Sequence, residues 1–191
     1  MSNQVLNKRE AILSTALMLF AERGFYGTTT SLISKEAGVA AGTLFFHFKT
    51  KEDLIDTLYC RIKSELAQAM SQSIDKAKST TENLHAIARN VIIWSIANPE
   101  KVKFMEQFAH SPFVSTSAYE EGMSQFSFFE EMVRDGIEKG DISDIAPSLI
   151  LGVLASTLMG LANCALLTDD VAEREKIIED GLHLIWYGIR K

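Results

Sequence analysis

Proline and cysteine are scarce in this chain of 191 residues, which contains three prolines and two cysteines. Pro99, Pro112 and Pro147 lie far apart and each is near an expected helix start, so they permit a wholly helical chain. Alternating strand patterns bounded by Asn-Gly or Asp-Gly turns are absent, which argues against a β-sheet fold. Cys60 and Cys164 have no metal-ligand spacing. We therefore predict free thiols, no metal site and a cytoplasmic protein.

Signatures of catalysis and of export are missing as well. The four histidines form no HExxH pair, and neither a Gly-x-Ser-x-Gly elbow nor a glycine-rich phosphate loop occurs. We therefore expect no enzyme and no cofactor, with catalysis as the disfavoured alternative. The N-terminus starts with polar residues and lacks a long apolar core, so no signal peptide is predicted.

One long uncharged segment, 145–168, could cross a bilayer by length alone. Acidic residues flank it, no lysine or arginine anchor lies close to either end, and polar residues such as Ser156 and Asn163 interrupt it. We therefore predict a helix that is buried mostly by protein, and no membrane partner.

The charge is divided unevenly along the chain. The net charge is −6 overall, but residues 1–51 carry +3 and residues 52–191 carry −9. The basic segment 1–51, the head, is thus followed by an acidic segment 52–191, the body. This division suggests that only the head binds a polyanion.

Apolar residues recur at helical spacing along most of the chain and predict an all-α fold of about nine helices. Gly24 and Gly38 are expected to end the first and second helices. The second and third helices are short and are joined by three residues that include a glycine, which is the helix-turn-helix pattern. The expected helices are 7–23, 31–37, 41–48, 51–78, 81–97, one from Pro99, 115–139, one capped by Ser143 or Asp144, and one capped by Asp169 or Asp170.

The second helix of a helix-turn-helix lies in the DNA major groove. Leu44 and Phe48 are four residues apart and are expected to pin this helix to the preceding two, which leaves Phe45 and Phe46 nearer the nucleic acid. The remaining contacts are expected from Gly42 and Thr43 toward base edges and from His47, Lys49 and Lys51 toward phosphates.

Residues 9–58 resemble the TetR family of bacterial transcriptional repressors. The resemblance is carried by Gly24, Thr28-Thr29, Ile33-Ser34, Ala37-Gly38-Val39 and the run Gly42-Thr43-Leu44-Phe45-Phe46-His47-Phe48-Lys49-Thr50-Lys51-Glu52-Asp53-Leu54. It implies an all-helical homodimer with a DNA-binding domain, 1–51, and a helical effector-binding and dimerisation domain, 52–191. It also implies DNA contacts from Thr29, Thr30, Ala41, Gly42, Thr43, Phe45, Phe46, His47 and Lys51.

Two pairs of residues depart from the family pattern. Ala40 and Ala41 stand where the family usually has serine and lysine, and Phe45 and Phe46 stand where tyrosine is common. The loss of the serine weakens the helix cap by about 1 kcal/mol. Because polar contacts are lost, we expect base readout to depend on Thr43, on the methyl group of Ala41 and on DNA shape.

The body contains aromatic and methionine side chains that could line an effector pocket between helices. At helical spacing such residues more often belong to an ordinary core, so that alternative stays open. His110 is considered beside Asn163 as a polar residue that could orient a ligand. The candidate pocket residues are Trp94, Phe104, Met105, Phe108, Phe126, Phe129, Met159 and Asn163.

The last two expected helices carry a candidate dimer interface. Gly152, Ser156 and Gly160 recur every four residues and form a smooth strip that a second backbone could approach. We favour a four-helix interface with two helices from each subunit, and internal packing is the alternative. The apolar stripe of the last helix adds Ile178, Leu182, Ile185, Trp186 and Ile189.

These observations predict a homodimeric, ligand-responsive DNA-binding transcriptional regulator. With the resemblance, they favour a repressor that a small apolar effector releases from a palindromic operator. A helical ligand-binding or adaptor protein that has lost DNA binding is the other alternative, because two alanines begin the recognition helix.

Overall fold

The computed structural model describes residues 2–108, 111, 113 and 115–189, with side chains from 7 to 187 within those ranges. The described residues form ten α-helices and no β-strand, which confirms the all-α fold with an N-terminal helix-turn-helix. The helices are α1 (Ser2–Gly27), α2 (Thr30–Glu36), α3 (Ala41–His47), α4 (Lys51–Ser71), α5 (Thr80–Ala97), α6 (Pro99–Phe108), α7 (Thr116–Ser124), α8 (Ser127–Glu138), α9 (Pro147–Ala165) and α10 (Val171–Ile189).

Glycines interrupt the N-terminal helices where the sequence predicts. Gly24 has φ 71° and ψ 171° inside α1, and one further turn follows it up to Gly27. Gly38 has φ 66° just after α2. Both positive φ angles lie in a region that residues with a Cβ atom rarely adopt. These two positions therefore fix where the first two helices change direction.

Several predicted helix boundaries are wrong, and α1 begins at Ser2 rather than at residue 7. The single helix expected over 115–139 is two helices, because backbone N–H groups at Phe126 and Phe129 bond three residues back instead of four. The exposed, polar residues just before Phe126 offer no apolar anchor for a continuous helix. α4 ends at Ser71 rather than near residue 78. The N-cap of α9 is Ala146, and not Ser143 or Asp144.

The chain divides into two compact units. The first comprises the residues up to Lys63 together with Pro99–Gly122, and in it α1 packs against α2, α3 and α6. Its core contains a ring cluster in which Phe25 lies edge-on to Phe20 and Phe104, with centroids 5.1 Å and 5.3 Å apart. The functional boundary at Lys51 stays a prediction, since these units are defined by packing alone.

The second unit comprises Ser64–Asn98 and the residues from Met123 onward. In it α9 packs against α5, α8 and α10. The approach of α10 to α9 is close, because a Cβ atom at Gly181 would lie 2.3 Å from Leu161 Cδ1. A side chain there would force the two helices apart.

α9 is long and apolar enough to cross a membrane by length and composition. Within the subunit only 28% of this apolar stretch is buried, on the side that includes Ile150, Leu154, Leu158 and Ala162 in the core of the second unit, so the prediction of a helix buried mostly by protein is wrong for the subunit by itself. Core helices of globular proteins pass the same length and composition test, so one such helix is weak support for a membrane span.

Candidate nucleic-acid interface

Two neighbouring threonines place α2 after the end of α1. Thr28 is fully buried, and its hydroxyl lies within hydrogen-bond distance of the carbonyl oxygens of Leu19 and Gly24, at 3.1 Å and 2.9 Å. Thr29 is exposed and caps α2, because its hydroxyl accepts a hydrogen bond from the backbone N–H of Leu32 at 3.2 Å. Thr30 is half-buried in the first turn. The first threonine is therefore structural, and the cap lies at the surface.

The turn between α2 and α3 is held by backbone hydrogen bonds. The N–H of Gly38 donates to the Lys35 carbonyl at 3.1 Å, and the N–H of Val39 donates to the Ser34 carbonyl at 2.9 Å. Ala40 is the N-cap of α3 and supplies no side-chain hydrogen bond. The entry into α3 thus depends on the turn and on packing, as the missing serine predicts.

α3 has one buried side and one exposed side. Leu44 and Phe48 are buried in the first unit, with Phe48 only 1% exposed. The guanidinium carbon of Arg9 lies 5.2 Å from the Phe48 ring centroid. Phe45 is 45% exposed and Phe46 is 70% exposed. This arrangement confirms the predicted division of the apolar side chains between core and surface.

The outward side of α3 carries little polar chemistry. Ala41 and Gly42 are exposed, and a Cβ atom added at Gly42 would meet no atom within 4 Å. Thr43 and His47 are half-buried at the edges of this side. Methyl, hydrogen and phenyl groups therefore form most of the surface that α3 presents.

The start of α4 is fixed by reciprocal capping. The Thr50 hydroxyl accepts a hydrogen bond from the Asp53 N–H at 3.1 Å, while the Asp53 carboxylate accepts one from the Lys49 N–H at 2.9 Å. The Asp53 carboxylate reaches one residue further back than in a standard capping box. Lys49 itself is exposed, beside the end of α3.

Lys51 turns toward the protein rather than away from it. Its ammonium group donates a hydrogen bond to the Phe25 carbonyl and lies 5.0 Å from the Phe113 ring centroid. Burial lowers the pKa of Lys51, and the neighbouring Glu52 carboxylate opposes that shift. A phosphate contact from Lys51 would require this hydrogen bond to break, so that contact stays a prediction.

The predicted pocket residues do not all belong to one unit. Phe104, Met105 and Phe108 belong to the first unit, where Phe108 stacks on Tyr59 with centroids 3.7 Å apart. Phe104 and Phe108 are fully buried core residues. In the second unit Phe129 is buried and Asn163 is exposed, and His110 lies outside the described residues. The half-buried members of that unit are Trp94, Phe126 and Met159.

The predicted dimer residues divide by exposure. Gly152, Ser156 and Gly160 are all exposed along α9. The assignment of Ile178 and Leu182 to an interface is corrected, because both are 2% exposed and pack inside the second unit. Ile185 and Trp186 are half-buried, and the side chain of Ile189 lies outside the described part of the chain.

Sequence reasoning missed the exposed apolar residues of α9 and α10. Leu149 and Val153 are exposed on α9, and Leu184 and Tyr187 are about three-quarters exposed on α10. The spacing of three between Leu184 and Tyr187 was the available signal. We call the exposed set of Leu149, Gly152, Val153, Ser156, Gly160, Leu184 and Tyr187 the α9–α10 strip.

Comparison with known proteins places this geometry in a family. The sequence profile of the bacterial regulatory proteins of the tetR family matches residues 12–58, which contain α2 and α3. The transcriptional repressor KstR2 of Mycolicibacterium smegmatis is 26% identical over 151 residues, or 73% of this chain and 72% of KstR2.

Two solved structures share the fold over nearly the whole chain. One, from Shewanella sp. PV-4 and assigned to the tetR family of transcription regulators, is 29% identical with a TM-score of 0.87, over 96% of this chain and 98% of that one. The other, FadR from Bacillus subtilis in complex with stearoyl-CoA, is 19% identical with a TM-score of 0.74, over 95% and 99%. The chain therefore belongs to the TetR family of bacterial regulatory proteins and is a DNA-binding transcriptional regulator.

Proposed function

We propose that this protein is a cytoplasmic, homodimeric repressor that binds a palindromic operator through α3 and leaves it when a small apolar effector binds. The observation that carries the proposal is the two-sided character of α3. Leu44 and Phe48 hold the helix in the core, while Ala41, Gly42 and Phe46 are exposed. A short helix held in this way presents its outer side to the major groove.

The phosphate contacts are proposed to come from residues around α3. Lys35 is exposed in the last turn of α2, and Lys49 is exposed just after α3. Both can pair with phosphates on the walls of the groove that α3 enters. Further contacts come from Thr29, Thr30, Thr43 and His47, and from Lys51 if it leaves the Phe25 carbonyl.

Dimerisation is proposed to occur through the α9–α10 strip. Its α9 members are all exposed, and Cβ atoms at Gly152 and Gly160 would meet no atom within 4 Å. Exposed apolar surface of this kind is costly in water and is typical of an interface. A two-fold pair would place two α3 helices on an operator whose half-sites are related by the same symmetry.

The effector is proposed to be small and apolar. FadR, which shares this fold, was crystallised with stearoyl-CoA, whose acyl chain is apolar although its coenzyme A part is large and charged. In this chain Trp94, Phe126 and Met159 keep partly accessible apolar side chains in the second unit. Stearoyl-CoA and free stearic acid are the first probes to add to an operator complex. Unchanged DNA binding with both would argue against a long-chain acyl effector.

Selection from a pool of random duplexes tests the proposed DNA-binding mode. Purified protein is expected to enrich an inverted repeat, with half-site centres about 34–36 Å apart, because two symmetric α3 helices read the two halves. Sequencing of the retained duplexes gives the repeat and its spacing. Enrichment of one unrepeated motif would contradict the homodimer, and no enrichment at moderate salt would favour a helical protein that has lost DNA binding.

A further inference from the structure

The side chains on the exposed side of α3 neither donate nor accept hydrogen bonds. This side presents the methyl group of Ala41, the unsubstituted Cα of Gly42 and the rings of Phe45 and Phe46. These rings lie on the surface of a short helix that Leu44 and Phe48 already anchor, so the core does not need them. Because exposed rings that contribute little to folding are costly in water, we expect another molecule to cover them.

The charge around α3 favours DNA as that partner over an apolar protein surface. Lys35 and Lys49 are exposed near the two ends of the turn–α3 segment, and residues 1–51 carry a net charge of +3. A protein partner for an apolar patch would not require this basic surround, whereas phosphates on both walls of a groove would. The rings then face the floor of the groove.

The bases of the major groove differ in what they offer an apolar group. Guanine, cytosine and adenine present hydrogen-bond donors and acceptors there, and thymine alone adds a methyl group. A phenyl ring over a polar base edge removes water from it without replacing the hydrogen bonds, which is unfavourable. A ring over the thymine methyl group buries apolar surface on both partners, which is favourable.

We infer that α3 specifies the operator by the positions of thymine methyl groups, which the rings of Phe45 and Phe46 contact. This inference rests on the proposed function, because it concerns how the same helix reads DNA. Gly42 lies between Ala41 and these rings in sequence and lets the helix approach the bases, since it has no side chain and its surroundings are open. The half-site is thus expected to contain thymines at fixed positions.

Removal of the thymine methyl groups tests this inference directly. Random duplex pools are amplified once with dTTP and once with dUTP, which pairs identically but lacks the 5-methyl group. The enriched thymine-containing duplex is then made in both forms and titrated by fluorescence anisotropy. Loss of each contacted methyl is expected to raise the Kd about fourfold, so one methyl in each half-site gives about 16-fold.

Alanine variants show whether the rings carry the effect. In the double variant Phe45→Ala with Phe46→Ala, the ratio of the two Kd values is expected to fall to within about twofold of 1. Both rings are exposed, so circular dichroism should show a folded protein. Met18→Ala is the matched control, because Met18 is an exposed apolar residue on α1, and it should keep the full ratio.

Each remaining outcome counts against the inference. Equal Kd values for the thymine and uracil duplexes would mean that the rings pack against sugars. A ratio that survives in the double alanine variant would mean that the methyl groups act through DNA stiffness. Enrichment from neither pool would instead remove the proposed function, which distinguishes that failure from the first two.

Discussion

Replacement of Phe48 by alanine is expected to lower the free energy of unfolding of the protein by about 3–5 kcal/mol. The ring is 1% exposed, and the Phe48 N–H donates to the Leu44 carbonyl at 2.9 Å where α3 ends. Its removal leaves a cavity beneath the recognition helix and takes away the surface on which the Arg9 guanidinium rests. Urea unfolding followed by circular dichroism measures the loss.

Phe46→Ala is the matched control for Phe48→Ala, since it deletes the same kind of ring two residues earlier, in the last turn of α3. Phe46 is 70% exposed, and its loss should change the free energy of unfolding by less than about 0.5 kcal/mol. Operator binding should fall in both variants, but only Phe48→Ala should lose it together with folded structure. Similar losses of stability would mean that α3 is not anchored by one side alone.

Leu184→Glu is expected to convert the dimer into monomers and to raise the operator Kd about a hundredfold or more. Leu184 is about three-quarters exposed in the subunit, so the substitution should leave folding intact. In a two-fold interface it would place a carboxylate from each subunit in apolar surroundings, which costs several kcal/mol. Sedimentation equilibrium at micromolar concentration measures the association.

Ala77→Glu is the control for this change of charge. Ala77 is exposed between α4 and α5 and lies outside the α9–α10 strip, so this variant should remain a dimer with the binding of the unaltered protein. A Leu184→Glu protein that still sediments as a dimer would show that the strip is not the interface.

The helix-turn-helix was predictable from sequence because its determinants are local. The spacing of Leu44 and Phe48 decides which side of α3 is buried, and the pairing of Thr50 with Asp53 decides where α4 begins. Both depend on residues three or four positions apart, which is the range over which helical periodicity and capping act.

The orientation of Lys51 was not predictable in this way. Its ammonium group bonds to the Phe25 carbonyl, 26 residues away in sequence, and lies over the ring of Phe113, further still along the chain. A family pattern predicts that a lysine stands at this position, whereas its direction depends on these two distant groups. The positions of the Phe25 carbonyl and of the Phe113 ring therefore decide what Lys51 contacts.

α10 shows a second limit of periodicity. One of its sides carries Ile178 and Leu182, and another carries Leu184 and Tyr187, so the helix is apolar in more than one direction. Only the packing of α10 on α9 and α5 decides that the first pair is buried and the second exposed. Periodicity by itself therefore assigned a buried pair, Ile178 and Leu182, to the interface.

The account depends most on the outer side of α3 lying against DNA, and Gly42→Glu tests this with one added carboxylate. The position is exposed and open, and glutamate is a better helix former than glycine, so the fold should tolerate the change. Anisotropy titration of the selected operator should show the Kd raised about a hundredfold or more, because the carboxylate faces a polyanion at close range. Ala77→Glu adds the same charge elsewhere and should bind normally. Equal Kd values for the two variants would contradict the placement of α3 on the operator.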